Sequence, residues 1–495
     1  MLACSGSRKD NGRAQGQQLL ANTGCPHLPP KALVRSYGMQ VGGRRNILAK
    51  TNDGHQENGS TALATFRNPK RKFVSGDSRA NWFRYYADFS VGFVEDVVAY
   101  LDLPDGATLL DPWLGGGTTA EVATAKGFRL KGYDVNPAML LVARARTLPT
   151  SAAKQIPILT ELITRSYKKN ITNETKSSTT VIDPFEQWLQ PASAAAFRVL
   201  ERSVEAITLK NQMSVIPLWR RAGQVSPLVS FFYVGLFRTL RHFISEFQSS
   251  NPTWIKVSDG GERIQLSPDR ILNRFRREIE SLLKSMRAET EVMPSVGTRT
   301  CVINQASSLL LPVASGSIDA VISSPPYCTR IDYVRATLPE LAVIGYPNGN
   351  VTRGLREMMI GTPTINKTQG NNGANWGPTC SRFLSAVEGH SSKASSTYYL
   401  KYYRQYFASV STSLAEINRV LKKSGQCVLV VQDSYYKEIQ NDLPRIFIEM
   451  ATQLGWTLRE EKPFPVKQTL AGVNPKVKEY RTAFQATESV LVFSK

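Results

Sequence analysis

The chain has 495 residues, 42% hydrophobic and 9% aromatic, enough to bury a full core and to form two or three structural units. Its formal net charge of +21 and pI near 9.7 favour a polyanionic partner, either nucleic acid or an anionic membrane surface. A membrane span is not expected, because the longest apolar run, Leu228 to Phe237, is ten residues and ends at Arg238, against the roughly 18 that a bilayer requires.

Residues 1–80 carry 13 Lys or Arg against 4 Asp or Glu and show no sustained period, which predicts a disordered basic N-terminal arm. Met39 is an alternative start. The first residues lack the apolar core and cleavage site of a secretory signal, so a cytoplasmic protein is expected. Cys4, Cys25, Cys301, Cys328, Cys380 and Cys427 form no CxxC pair and accompany only four histidines, so neither a disulfide framework nor a metal site is indicated. Cys328 is read as a gap-filling side chain rather than a nucleophile.

From Asn81 the texture changes. The aromatic cluster Trp82, Phe83, Tyr85, Tyr86 and Phe89 precedes a helix predicted over Val91 to Leu101. An apolar run from Ala107 to Leu110 reads as a strand buried on both faces. A Gly-rich turn, a helix from about Thr118, a strand near Leu130 to Tyr133 and a helix after Pro137 complete a βαβ unit.

About 145 residues then depart from this rhythm and read as mainly helical. Ser226-Pro227 and Ser267-Pro268 each pair an N-cap with proline at the first helical position. The first opens a helix predicted to stop before Asn251-Pro252. The second opens a helix with Ile271, Phe275, Ile279, Leu282 and Met286 on one face and Arg270, Arg274, Arg277 and Lys284 off it, either a basic binding face or ordinary solvation.

Strand and helix alternation resumes with strands at Cys301 to Ile303 and Ile318 to Ser323. Tyr346 to Thr397, with Arg353, Arg356 and Lys367, reads as loop-rich, a candidate clamp on a polyanionic partner. A helix follows over Tyr399 to Leu421, closed by Lys422 to Gly425, then a strand over Gln426 to Val431, a helix over Leu443 to Leu454 and a strand over Ser489 to Phe493. The expected fold is α/β: a doubly wound Rossmann-like sheet of about seven strands interrupted by an inserted mainly helical domain. The catalytic domain is expected at 81–150 and 296–495 and the insertion at 151–295.

Two motifs carry the chemistry. The first is Asp111-Pro112-Trp113-Leu114-Gly115-Gly116-Gly117-Thr118-Thr119, between strand and helix, where glycines let backbone amides approach a ligand at a helix N-terminus. Twenty-three residues beyond Asp111, Asp134 ends the second strand, where a carboxylate accepts ribose hydroxyls in dinucleotide-type folds. The loop lacks a phosphate-binding lysine and the GxGxxG pattern, and its leading aspartate suits a cationic methionyl group. S-adenosylmethionine is therefore the favoured ligand over a dinucleotide.

The second motif, Ser324-Pro325-Pro326-Tyr327, follows a strand and falls at the carboxyl edge of the expected sheet. The prolines fix the backbone, so Ser324 Oγ and the Pro325 carbonyl are placed to accept both hydrogens of an exocyclic amine. Tyr327 offers a face on which a base turned out of a duplex can stack. Asp332 is a candidate proton acceptor, although a structural role fits it better.

At these residues the chain resembles the amino-directed DNA methyltransferases, in particular the branch with Ser-Pro-Pro-Tyr. The resemblance covers about Asn81 to Arg146 and Thr300 to Lys495. It implies Asp111, Pro112, Gly115, Gly117 and Thr118 around the cofactor, Asp134 at its ribose, Tyr85 and Tyr86 flanking it, and Ser324, Pro325, Pro326 and Tyr327 at the target base. Trp113-Leu114 and Gly116 depart from the family pattern, the latter replacing a serine. Serine in the catalytic motif favours N4 of cytosine; N6 of adenine is the alternative. The order of motifs places target recognition in the insertion, with Asn251, Trp254, Lys256, Arg274 and Arg330 as candidate DNA contacts. The implied partner is double-stranded DNA, with a separate restriction or defence partner compatible, since no nuclease motif is evident. An RNA or protein-amide methyltransferase and a catalytically silent nucleic-acid-binding module are the competing readings.

Overall fold

A computed structural model describes residues 66–70, 78–85, 88–174, 182–209, 216–249, 251, 253–258, 261–289, 301–365, 375–466 and 486–495. All belong to one compact unit, Leu63–Lys495. The basic arm expected over residues 1–80 lies mostly outside them. Its last residues are packed, however: Phe66 is buried against the rings of Phe93 and Tyr100, and Arg67 pairs with Asp96 at 2.7 Å.

The strands are β1 (Thr108–Asp111), β2 (Arg129–Asp134), β3 (Cys301–Gln305), β4 (Ile318–Ser323), β5 (Leu421–Gln432), β6 (Ser434–Tyr436), β7 (Ile439–Asn441), β8 (Thr457–Val466) and β9 (Ala486–Ser494). Seven form one sheet in the order β3-β2-β1-β4-β5-β9-β8, and β6 and β7 form a separate hairpin. The pairings from β3 to β5 are parallel, whereas β9 runs antiparallel between β5 and β8. This is the expected doubly wound Rossmann-like sheet. The order reverses at β1, between β2 and β4, so the crevice beyond the carboxyl ends of β1 and β4 is where such a sheet takes a ligand.

The helices are α1 (Val91–Leu101), α2 (Thr118–Lys126), α3 (Pro137–Arg146), α4 (Ile156–Glu174), α5 (Pro191–Leu209), α6 (Leu218–Arg221), α7 (Pro227–Phe243), α8 (Pro268–Ala288), α9 (Tyr333–Ala336), α10 (Leu338–Val343), α11 (Asn350–Met358), α12 (Pro378–Glu388), α13 (Leu400–Val420) and α14 (Leu443–Gln453). Side-chain alternation along the strands divides the core. Leu109, Ala320, Ile322, Val428 and Val490 face the layer containing α1–α3, α5, α7 and α8. Leu110, Val321, Leu429, Val431 and Leu491 face the layer of α12–α14. Residues successive in a strand thus serve opposite faces.

The predicted helix starts have their physical cause in view. Ser226 Oγ accepts from Val229 N and Ser267 Oγ from Arg270 N, each satisfying a backbone donor at a helix end. Four sequence expectations are corrected. The helix from Pro227 ends at Phe243, with a separate short turn at Ser245–Phe247. The helix from Leu400 gives way directly to β5 at Leu421, whose backbone is already extended (φ −73°, ψ 136°), so Lys422 to Gly425 do not close it. The stretch Tyr346 to Thr397 contains α11 and α12, with 366–374 outside the described residues. β8 went unpredicted because Pro463 and Pro465 and its charged residues argue against a central strand; it lies at the sheet edge, where proline is tolerated.

Candidate active site

β1 delivers Asp111 and β4 delivers Ser323 to the same edge of the sheet. Ser323 Oγ donates to Asp111 Oδ1 at 2.6 Å, a fully buried bond between residues 212 apart in sequence. Both motifs open from this junction into one cavity. Tyr85, Asp111, Pro112, Gly115, Thr118, Asp134, Ser324, Pro325, Pro326 and Tyr327 all line it. Gly117 sits behind the loop as the N-cap of α2. Tyr86 lies outside the described residues.

The loop after β1 is held from several sides. Asp134 Oδ2 accepts from Gly115 N at 2.9 Å and its Oδ1 from Asn136 N at 2.8 Å. Asp88, which the sequence reading passed over, accepts from Gly116 N at 3.0 Å and from Arg146 Nη2 at 3.3 Å. It explains the departure at Gly116: a Cβ there would lie 2.4 Å from both Asp88 carboxylate oxygens. Leu114 is accounted for by Gly132, which leaves space for its isobutyl group; a Cβ at Gly132 would meet Leu114 Cδ2 at 2.8 Å. The signal for Asp88 was present, a lone acid inside the aromatic segment preceding α1.

Three carboxylates, Asp88, Asp111 and Asp134, therefore border the cavity. Burial raises Asp111 and Asp134 to about 6, despite hydrogen bonds from Ser323 to the first and from backbone amides to the second. Their mutual repulsion acts in the same direction as burial. Desolvated anions of this kind favour a cationic ligand, which restores the charge balance that burial removed.

The Ser-Pro-Pro-Tyr segment is braced by α13. Tyr406 Oη donates to the Pro326 carbonyl at 2.9 Å, and Tyr402 Oη accepts from Arg330 N at 3.2 Å. Among the described residues, no group hydrogen-bonds to Ser324 Oγ or to the Pro325 carbonyl. Tyr327 Oη donates to Glu488 Oε1 on β9. Glu488 is 5% exposed, its Oε2 has no hydrogen-bond partner among the described residues, and burial raises its pKa. None of Tyr402, Tyr406 or Glu488 was legible locally, since each reaches the motif through tertiary packing. Tyr333 and Met358 to Ile360 complete the cavity wall.

Asp332 caps α9 by accepting from Arg335 N at 2.9 Å and pairs with Arg356 at 3.0 Å, which is a structural role. Cys328 is buried and its thiol is pushed up in pKa by desolvation, as suits a packing side chain.

The remaining predicted residues lie outside the cavity. Asn251 Oδ1 accepts from Thr253 N and Oγ1, building a turn, and Trp254 on that turn is 47% exposed. Lys256 is exposed beside it. Arg274 pairs with Glu278 on α8. Arg330, in a left-handed conformation (φ 59°), stacks on Tyr398 and Tyr399.

The chain is similar to type II methyltransferases. It is 25% identical over 324 residues to Type II methyltransferase M.BsoBI of Geobacillus stearothermophilus, a match covering 60% of this chain and 60% of that relative, so it spans less than two thirds of that relative's length. It is 23% identical over 419 residues to Type II methyltransferase M.AvaI of Nostoc sp. and of Anabaena variabilis, covering 79% of this chain and 82% of theirs. No family model matches the chain. No helix among the described residues is long and apolar enough to cross a membrane.

Proposed function

We propose that this chain is an S-adenosylmethionine-dependent DNA methyltransferase that acts on an exocyclic amino nitrogen, N4 of cytosine, in a base turned out of the duplex. The observation that carries the proposal is the junction of the two motifs. Ser323 and Asp111 bond across 212 residues, and one cavity is lined both by buried carboxylates and by Ser324 and Pro325, whose acceptors take no hydrogen bond from the described residues.

The cavity suits the cofactor. Asp111 and Asp134 are carboxylates whose burial is relieved by a cation, and Gly115 and Gly117 bring the backbone close. In this reading Asp134 accepts from the ribose, Tyr85 flanks the cofactor, and Pro112 and Thr118 border it. The cofactor, when bound, supplies an electrophilic methyl group. Ser324 Oγ and the Pro325 carbonyl accept the two amine hydrogens, which turns the nitrogen lone pair toward that methyl, and Tyr327 stacks on the base. Positioning and exclusion of water do most of the work.

We assign catalysis to residues 81–150 and 296–495 and target recognition to the helical segment 151–295. Asn251, Trp254, Lys256, Arg274 and Arg330 are the candidate DNA contacts, and a cognate restriction nuclease is a partner consistent with relatives named as type II methyltransferases. Adenine N6 is the second reading for the base, since the acceptor pair fits either amine.

The test is transfer of labelled methyl from S-adenosylmethionine to genomic DNA, with mass spectrometry of the nucleosides and Ser324→Ala alongside. We expect N4-methylcytosine, and at least about a tenfold loss in Ser324→Ala with cofactor affinity unchanged, the loss of one charge-directing hydrogen bond. N6-methyladenine alone corrects the base. Cofactor binding with no DNA product refutes a DNA substrate.

A further inference from the structure

Arg335 was not singled out by any sequence motif, yet its surroundings are built with care. It lies on α9, two residues beyond Tyr333 of the cavity wall. Its guanidinium stacks 4.9 Å from the centroid of the Trp254 ring, and its Nε donates to the Ile255 carbonyl at 2.8 Å. Its two terminal nitrogens make no hydrogen bond to the described residues. The ring beneath it remains 47% exposed. The turn carrying Trp254 is itself held by Asn251, by the Trp254 N to Asn251 O bond at 3.0 Å and by a bridge between Gln248 and Ile255.

Burial and then the positive charge of Arg356 on α11 lower the Arg335 pKa, against the opposing effect of Asp332, which pairs with Arg356 at 3.0 Å. α11 ends at Met358, half-exposed and lining the cavity. Two guanidinium groups thus stand with one carboxylate on elements that also contribute Tyr333 and Met358 to the cavity wall, and that of Arg335 is pre-oriented. A guanidinium already stacked has little rotamer freedom left to lose on binding, and its planar fork suits a phosphate.

We infer that Arg335, held by Trp254 and assisted by Arg356, grips a backbone phosphate of duplex DNA beside the target nucleotide. The inference rests on the DNA methyltransferase reading above. It assigns to Trp254 a supporting and stacking role and to Arg335 the ionic contact.

The test is equilibrium binding of a fluorescent DNA duplex to the cofactor-loaded protein, with salt varied from about 50 to 200 mM, where each phosphate contact contributes about 0.9 to the slope of log affinity against log salt. For Arg335→Gln we expect that slope to fall by about one contact's share and affinity to weaken on the order of tenfold, with cofactor affinity unchanged. Arg335→Lys should keep the slope. Trp254→Ala should weaken binding with a smaller change in slope. An Arg335→Gln slope equal to that of the wild type overturns the inference, even where methyl transfer to DNA proceeds. No methyl incorporation into DNA by the wild type overturns the underlying reading instead, and this inference with it.

Discussion

Replacement of Gly117 by alanine tests the close approach on which the cofactor loop depends. Gly117 is left-handed (φ 82°, ψ 30°) and caps α2; a Cβ there would lie 2.5 Å from both Cα and Cβ of Ala143 on α3. The left-handed backbone costs alanine about 1–2 kcal/mol. The clash costs about 1–3 kcal/mol more, because its partner is helix backbone that has no free rotation to absorb it. Gly345 provides the control: it is also left-handed (φ 70°) but a Cβ there meets nothing within 4 Å. Gly345→Ala should therefore show only the backbone cost. Guanidinium unfolding followed by circular dichroism should separate the two by about 1–3 kcal/mol, and calorimetry should find weaker S-adenosylmethionine binding in Gly117→Ala alone. Equal midpoints for the two variants would refute the claim that helix packing, rather than backbone conformation, demands glycine at this position.

Two further predictions concern the cavity walls. Glu488→Gln should retain most methyl transfer, because its amide oxygen still accepts from Tyr327, whereas Glu488→Leu and Tyr327→Phe should each lower kcat and be non-additive in combination; additive effects would show that the two groups act independently. The second concerns pH: Asp111 and Asp134 are raised to about 6 from 3.8, so between about pH 4 and 6 the ligand-free fold binds protons that the unfolded chain does not. Lowering the pH from 7 to 5 should therefore raise the contribution of these two groups to stability and weaken binding of a cationic ligand. Below pH 4 the depressed Asp96, Asp319 and Glu416 reverse the trend. Calorimetry across this range checks the binding effect, and S-adenosylmethionine affinity that is constant from pH 7 to 5 sinks the assignment of these carboxylates to the cofactor.

Much of the fold was legible because its signals are local. Ser226-Pro227 and Ser267-Pro268 start α7 and α8 since a cap needs only a side-chain oxygen and the next three amides. Ala107 to Leu110 and Ile318 to Ser323 announce strands because they are short, mainly apolar runs, as strands covered on both faces are. Errors fell where local and tertiary preferences part: Lys422 to Gly425 looks like a helix stop, but pairing with β4 draws Leu421 into the sheet.

From residue order alone, the two motifs and the alternation of strands and helices could be read. The residues that hold those motifs could not. Asp88 at Gly116, Tyr406 at Pro326, Tyr402 at Arg330 just beyond the second motif and Glu488 at Tyr327 are brought into place by sheet order and helix packing. A motif is a property of neighbours along the chain, whereas its support depends on distances in space that only closure of the β1, β4, β5 and β9 core creates.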